Sequence, residues 1–289
     1  MGTTRRRFVR DQAGTGALLA IGSGCADDER VAEILAEYGG GTFVHGVASG
    51  DPLSDRVILW TRLTPFTAGT VAVEWAIARD PAFNDVVNTG RATTSADRDY
   101  TVKVDADGLA PATTYYYRFS SGDATSPIGR TRTLPSGSVD RVKLAVVSCA
   151  NYAHGFFSVY REVARRADLD AVVHLGDYIY EYGPGVQERP ELGRPHDPPR
   201  EIVTLDHYRT RYAQYRRDPD LQELHRQHPM IAVWDDHEFT DNSHREGAEN
   251  HNPDDGEGEW SERRAAAVRA YREWLPVRGD DPELIYRSF

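Results

Sequence analysis

Three short stretches of this sequence concentrate side chains that can bind a metal ion. Ser148-Cys149-Ala150-Asn151-Tyr152 offers a thiolate, and Gly176-Asp177-Tyr178-Ile179-Tyr180-Glu181-Tyr182 offers a carboxylate and a phenolate. Asp235-Asp236-His237-Glu238-Phe239-Thr240-Asp241-Asn242 sets carboxylates beside an imidazole. Oxygen anions suit a hard cation such as ferric iron, and a thiolate adds charge donation. Taken singly, each has a plainer reading. A Gly-Asp after a strand is usually only a turn, and a lone cysteine is usually a small core residue. Their placement makes them informative, because each directly follows a short apolar run: Leu144 to Val147, Ala171 to Leu175, and Ile231 to Trp234. Surface acids seldom stack behind buried strands.

The elements that must hold these residues are legible in the hydrophobic pattern. The first two runs flank an amphipathic stretch (Phe156, Phe157, Val159, Tyr160, Val163, Ala164), which reads as a β-α-β unit with parallel strands. The polar residues then sit just past the carboxyl ends of the strands, the rim where open α/β sheets bind ligands. Leu205 to Tyr215 and Asp220 to Arg226 read as helices, with Tyr208, Tyr212 and Tyr215 on one inward face. Glu259 to Trp274 is a further amphipathic helix stopped by Pro276, and Glu283 to Phe289 reads as the start of a strand.

SCANY, HLGDYIYEYG and WDDHEFTDN, in this order, resemble the signature of the PhoD-like alkaline phosphatases and phosphodiesterases, within the calcineurin-like metallophosphatases. The resemblance covers nearly all of residues 43–289. It implies a metal-dependent phosphoric ester hydrolase carrying ferric iron (Fe3+) and calcium (Ca2+). Cys149 and Tyr180 would bind iron, Asp177 would bridge iron and calcium, and Asp236 would reach calcium. His237 would hydrogen-bond the phosphoryl group rather than a metal. Asn151 and Asn242 would neighbour the calcium or the phosphate.

Ahead of these motifs, residues 43–136 have a different texture. Short β-rich runs (Val57 to Thr61, Val71 to Ile77, Tyr100 to Val104, Tyr115 to Phe119) alternate with turns at Asp51-Pro52, Asp80-Pro81 and Asp107-Gly108. Leu109-Ala110-Pro111-Ala112-Thr113-Thr114-Tyr115 resembles a fibronectin type III segment. The fold expected is therefore α+β and multidomain. A fibronectin-III-like β-sandwich (43–136) precedes a partial αββα metallophosphatase domain (137–289). The Pro/Arg-rich segment Gly183 to Arg200 reads as a surface loop over the site. Arg189, Arg194 and Arg200 there read as solvated loop charges.

Residues 1–42 read as signal and linker. Thr4-Arg5-Arg6-Arg7-Phe8-Val9-Arg10 and the mild apolar stretch after it resemble a twin-arginine export signal, which implies the twin-arginine machinery as a partner and an exported or cell-surface location. Ile21-Gly22-Ser23-Gly24-Cys25 resembles a lipoprotein box, with Cys25 as the anchor point, although Gly22 fits it poorly. With Cys25 in the signal region, the two cysteines do not read as a disulfide pair. The net charge of −11 argues against nucleic-acid backbone binding. It leaves open phosphate-ester substrates, either small molecules or a cell-envelope polymer, because bound cations reverse the local potential. The family's remaining metal motifs are not in these 289 residues, so the resemblance implies a C-terminally truncated chain. Two alternatives stand beside the hydrolase: a purple-acid-phosphatase-like enzyme, and a non-catalytic surface module.

Overall fold

The structure is a computed structural model and describes residues 41–279 and 285–289; the twin-arginine stretch and Cys25 lie outside the described residues. In chain order the strands are β1 (Val47–Gly50), β2 (Val57–Arg62), β3 (Val71–Ala78), β4 (Val86–Thr94), β5 (Thr101–Ala106), β6 (Thr114–Ser121), β7 (Gly129–Arg132), β8 (Leu144–Val147), β9 (Ala171–His174) and β10 (Pro229–Ala232). The α-helices are α1 (Ser158–Ala164), α2 (Leu205–Tyr215), α3 (Pro219–Gln227) and α4 (Trp260–Trp274).

Six strands make one mixed sheet in the order β8-β9-β10-β1-β2-β5. β8, β9, β10 and β1 run parallel, whereas β2 and β5 join antiparallel. The sheet thus crosses the boundary read near residue 136. A second sheet, β7-β6-β3-β4, faces only its β1-β2-β5 half. The strand period of two explains how one sheet serves two cores. Val47, Val57 and Leu59 point into the sandwich core with Val73, Ile77, Tyr117 and Phe119. Ala48 and Trp60 point the other way, into the helical core with Tyr212, Tyr271 and Trp274. The Trp60 Nε1–H donates to Glu273 O at 2.8 Å, so its one polar atom is satisfied inside that core.

Helix ends follow their sequence signals. Asp218 caps α3 by accepting from the Asp220 and Leu221 amides, with Pro219 in the first turn. α4 ends at Leu275, extended as a residue before proline must be. Tyr208, Tyr212 and Tyr215 are buried on one face of α2, as their spacing predicts. Two strand readings need correction. The third apolar strand spans Pro229–Ala232 rather than 231–234, and residues 285–289 form no strand. Arg287 instead donates to Asp51 and to Ala232 O, which secures this end as an irregular segment.

The helical core also holds buried histidines. His174 accepts from the Gly176 amide at Nδ1 and pairs through Nε2 with the Tyr160 hydroxyl at 3.1 Å. Burial lowers its pKa to about 3, and burial drives His225 well below its usual value, aided by Arg216 and His174. The folded state keeps both rings neutral, whereas the unfolded chain protonates them below pH 6.5. Their contribution is therefore intact above about pH 6.5 and is lost on acidification towards pH 3, at roughly 1.4 kcal/mol per ring per pH unit. The melting temperature should fall steeply below pH 6, and His174→Gln, which cannot titrate, should flatten that decline. An unchanged slope in the variant would remove His174 from this account.

Candidate metal centre

The parallel pairing of β8, β9 and β10 brings three carboxyl ends to one edge of the sheet. Backbone bonds then lock the turns to one another. The Cys149 amide donates to Gly176 O at 3.2 Å, the Ala150 amide to Asp177 O at 2.9 Å, and the Val233 amide to His174 O at 3.0 Å. Cys149 and Asp177 both adopt the left-handed region, with φ of 60° and 54°. Such backbone costs about 1–3 kcal/mol per residue and persists where the surroundings over-determine it. Here it turns both side chains to the same place.

Asp177 is buried, and its Oδ2 accepts from the Tyr180 hydroxyl at 3.1 Å. Its Oδ1 is buried with no hydrogen-bond partner. Burial raises the Asp177 pKa against the opposing pulls of His237 and Cys149. Burial, followed by the charges of Asp177 and Cys149, likewise raises the Tyr180 hydroxyl. One ligand atom each from Asp177, Asp236 and His237 lies within 4.8 Å of the other two. Cys149, which is exposed, and Tyr180 adjoin Asp177. Five of the seven residues singled out in the sequence as metal or phosphate contacts are thus brought together.

The residue set fits a cation. A buried carboxylate oxygen without a donor is costly unless a positive charge meets it. Asp177 Oδ1 is such an atom, and it lies among thiol, phenol, carboxylate and imidazole groups.

The two asparagines differ in placement. Asn151 Oδ1 accepts from the Ala153 amide, while its Nδ2 is buried without a partner in the cleft beside Cys149 and Tyr180. The Asn242 side chain is turned to Glu249 at 2.8 Å, and its backbone N–H donates to Asp236 Oδ2 at 2.6 Å. The cleft at Cys149 measures about 520 Å³ and has an apolar wall of Phe156, Phe157 and Val159. A larger groove of about 1060 Å³ between β5 and α4 contains none of these ligand-type residues.

Two further buried carboxylates escaped the sequence reading. Glu181 takes His237 Nδ1 on Oε2 at 2.8 Å, and on Oε1 it accepts from Thr240 Oγ1, the Asp241 amide and Asn250 Nδ2. Burial alone would lower the His237 pKa, but this bond and the neighbouring carboxylates carry it up to about 9. The ring also stacks on Tyr180 at 4.1 Å. Glu238 accepts from three backbone amides, and burial lifts its pKa to about 7. The one available signal was a glutamate amid tyrosines in Tyr178-Ile179-Tyr180-Glu181-Tyr182, a poor sequence for a solvent-facing strand end.

The loop 183–200 is held from beneath. Buried Arg211 donates to the carbonyls of Tyr180, Tyr182, Asp197, Pro198 and Arg200. Arg194 is not a solvated charge. Its guanidinium lies 3.7 Å over the Tyr152 ring and pairs with Asp218 at 2.9 Å.

Residues 144–289 match the family described as PhoD-like phosphatase, and residues 30–135 match the PhoD-like phosphatase N-terminal domain. Alkaline phosphatase D of Bacillus subtilis (strain 168) is 40% identical over 306 aligned residues, covering 99% of this chain and 51% of the relative. A solved structure titled "Structure of PhoD" superposes with a TM-score of 0.79 at 40% identity, over 86% of this chain and 50% of that one. This chain spans about half the length of the curated relative it matches.

Proposed function

Because the chain belongs to the PhoD-like phosphatase family, we propose that its three strand ends form part of a metal-dependent centre that hydrolyses phosphoric esters. The unpartnered, buried Asp177 Oδ1, set within a cluster of ligand-type side chains, carries this reading. Bound cations in such a centre neutralise phosphoryl oxygens and lower the pKa of water.

Cys149 and Tyr180 would hold ferric iron, Asp177 would serve as a ligand for iron and for calcium, and Asp236 would hold calcium. His237 keeps Nδ1 on Glu181, which leaves Nε2 as the atom that donates to a phosphoryl oxygen. Stacking on Tyr180 holds the imidazole plane. Asn151 Nδ2 is a second unused donor at the same cleft. Asn242 acts through its backbone N–H, which orients the Asp236 carboxylate.

The substrate class is a phosphate monoester or diester, either small or part of a cell-envelope polymer. No described helix is long and apolar enough to cross a membrane. The N-terminal arginine motif favours export by the twin-arginine route, with Cys25 as a site for lipid attachment.

The test is hydrolysis of bis(p-nitrophenyl) phosphate and p-nitrophenyl phosphate by protein purified from the cell that makes it. Chelation should abolish turnover, and added calcium should restore it. A folded, metal-replete protein with no turnover on either ester would favour the non-catalytic module.

A further inference from the structure

We infer that Glu238 is a positioning residue that sets the distance between the two metal-binding carboxylates, a role that rests on the hydrolase-centre reading. The Glu238 side chain is 1% exposed and reaches both ligand turns at once. Its Oε2 accepts from the Asp177 amide at 3.0 Å and from the Asp235 amide at 2.9 Å, and its Oε1 accepts from the Tyr178 amide at 2.7 Å. Asp177 and Tyr178 follow β9, whereas Asp235 follows β10 and directly precedes Asp236. One carboxylate therefore holds the backbone of one ligand and the residue adjoining the other.

A second observation shows that little else separates the turns. Gly176 lies so close to the neighbouring turn that a Cβ on it would sit 2.3 Å from the Asp235 nitrogen. The two backbones touch without an intervening side chain, and Glu238 is the group bonded to both. Bonds from amides to a carboxylate are charge-assisted and directional. A carboxylate offers acceptors on both oxygens, but a glutamine amide offers one oxygen and an NH2 that would face a backbone N–H. Glu238→Gln therefore keeps the shape of the side chain and loses either the Tyr178 bond or both bonds made by Oε2, so the 176–178 turn is loosened in either orientation. Glu238→Asp keeps the charge, but one methylene less brings its oxygens to one turn only.

The plainer role is local, that of a carboxylate satisfying amides in its own turn. Two measurements separate the roles. Amide hydrogen exchange in metal-free protein reads the turns directly. Positioning predicts faster exchange in both 176–178 and 234–236 in E238Q, with segments far from the site unchanged. Titration of the folded wild type and E238Q with Ca2+ and Fe3+ reads the consequence, which is expected to be an affinity loss on the order of 10–100-fold. E238D provides the same comparison if E238Q does not fold.

Unchanged exchange at 176–178 would overturn the proposal, and so would metal affinity within about twofold of wild type when both turns have loosened. A wild type that binds neither ion would refute the hydrolase-centre reading. The exchange measurement would then still decide whether Glu238 couples the turns.

Discussion

Asp177→Asn is expected to empty the centre of metal and to lower phosphate-ester turnover by about three orders of magnitude. Asparagine keeps the shape of the side chain, tolerates the left-handed backbone at φ 54° and can still accept the Tyr180 hydrogen bond. What it removes is the charge on Oδ1, the buried oxygen that has no other partner. Cation stabilisation of a phosphoryl transition state is worth several kcal/mol, and each 1.4 kcal/mol is about tenfold in rate. The variant also deletes a buried, sparsely bonded charge, so its metal-free form should melt no lower than metal-free wild type. Metal content per chain, kcat and the apo melting temperature check the three parts. Asp236→Asn should do less, because Asp236 is only half-buried and the Asn242 amide already satisfies one of its oxygens. Full metal content with kcat within tenfold of wild type would remove Asp177 from the centre.

Gly176→Ala is expected to be the most destabilising single-methyl change at the site. Gly176 has φ 106°, and a Cβ there would lie 2.3 Å from the Asp235 nitrogen and 2.8 Å from the Trp234 carbonyl carbon. These are backbone atoms of the adjoining turn, so no rotamer change relieves the overlap. Either the two ligand turns separate or the strand end distorts. A loss of about 4 kcal/mol is the scale of such forced strain, which for a chain of this size is roughly 10 °C in melting temperature. Gly185→Ala is the control. Its φ is 83°, but nothing lies within 4 Å of a Cβ there, so only backbone strain of about 1 kcal/mol is expected. Thermal melts of the two variants side by side decide the matter, and equal melting temperatures would show that the close approach at Gly176 carries no weight.

Much of the centre was readable because its ligands follow short strands, and a strand ending in a turn is a local event. The hydrophobic runs before Ser148 and Gly176 located two strand ends, the strand before Asp235 ends two residues earlier than its run, and the residue types pointed to a cation. β4 was not read. Its polar Val86–Thr94 sequence alternates weakly, and it is a strand because β3 pairs with it along its length. Arg194 and Arg211 look in sequence like any loop or helix cation. Only their carbonyl, carboxylate and aromatic partners, brought in by the fold, make them pins, Arg211 buried and Arg194 partly so.

The sequence by itself determined the strand and helix periods, the order of the three ligand turns and the identities of Cys149, Asp177, Tyr180, Asp236 and His237. Tertiary structure decided which strands are neighbours, and so that β1 and β2 of the sandwich also belong to the sheet that carries the three ligand-type turns. It also decided the roles of Glu181 and Glu238, whose partners no sequence pattern names. A carboxylate is stable inside a protein only when several donors converge on it. For Glu238 two of those donors, the Asp177 and Tyr178 amides, lie about sixty residues away in the chain, a distance that no local pattern reports.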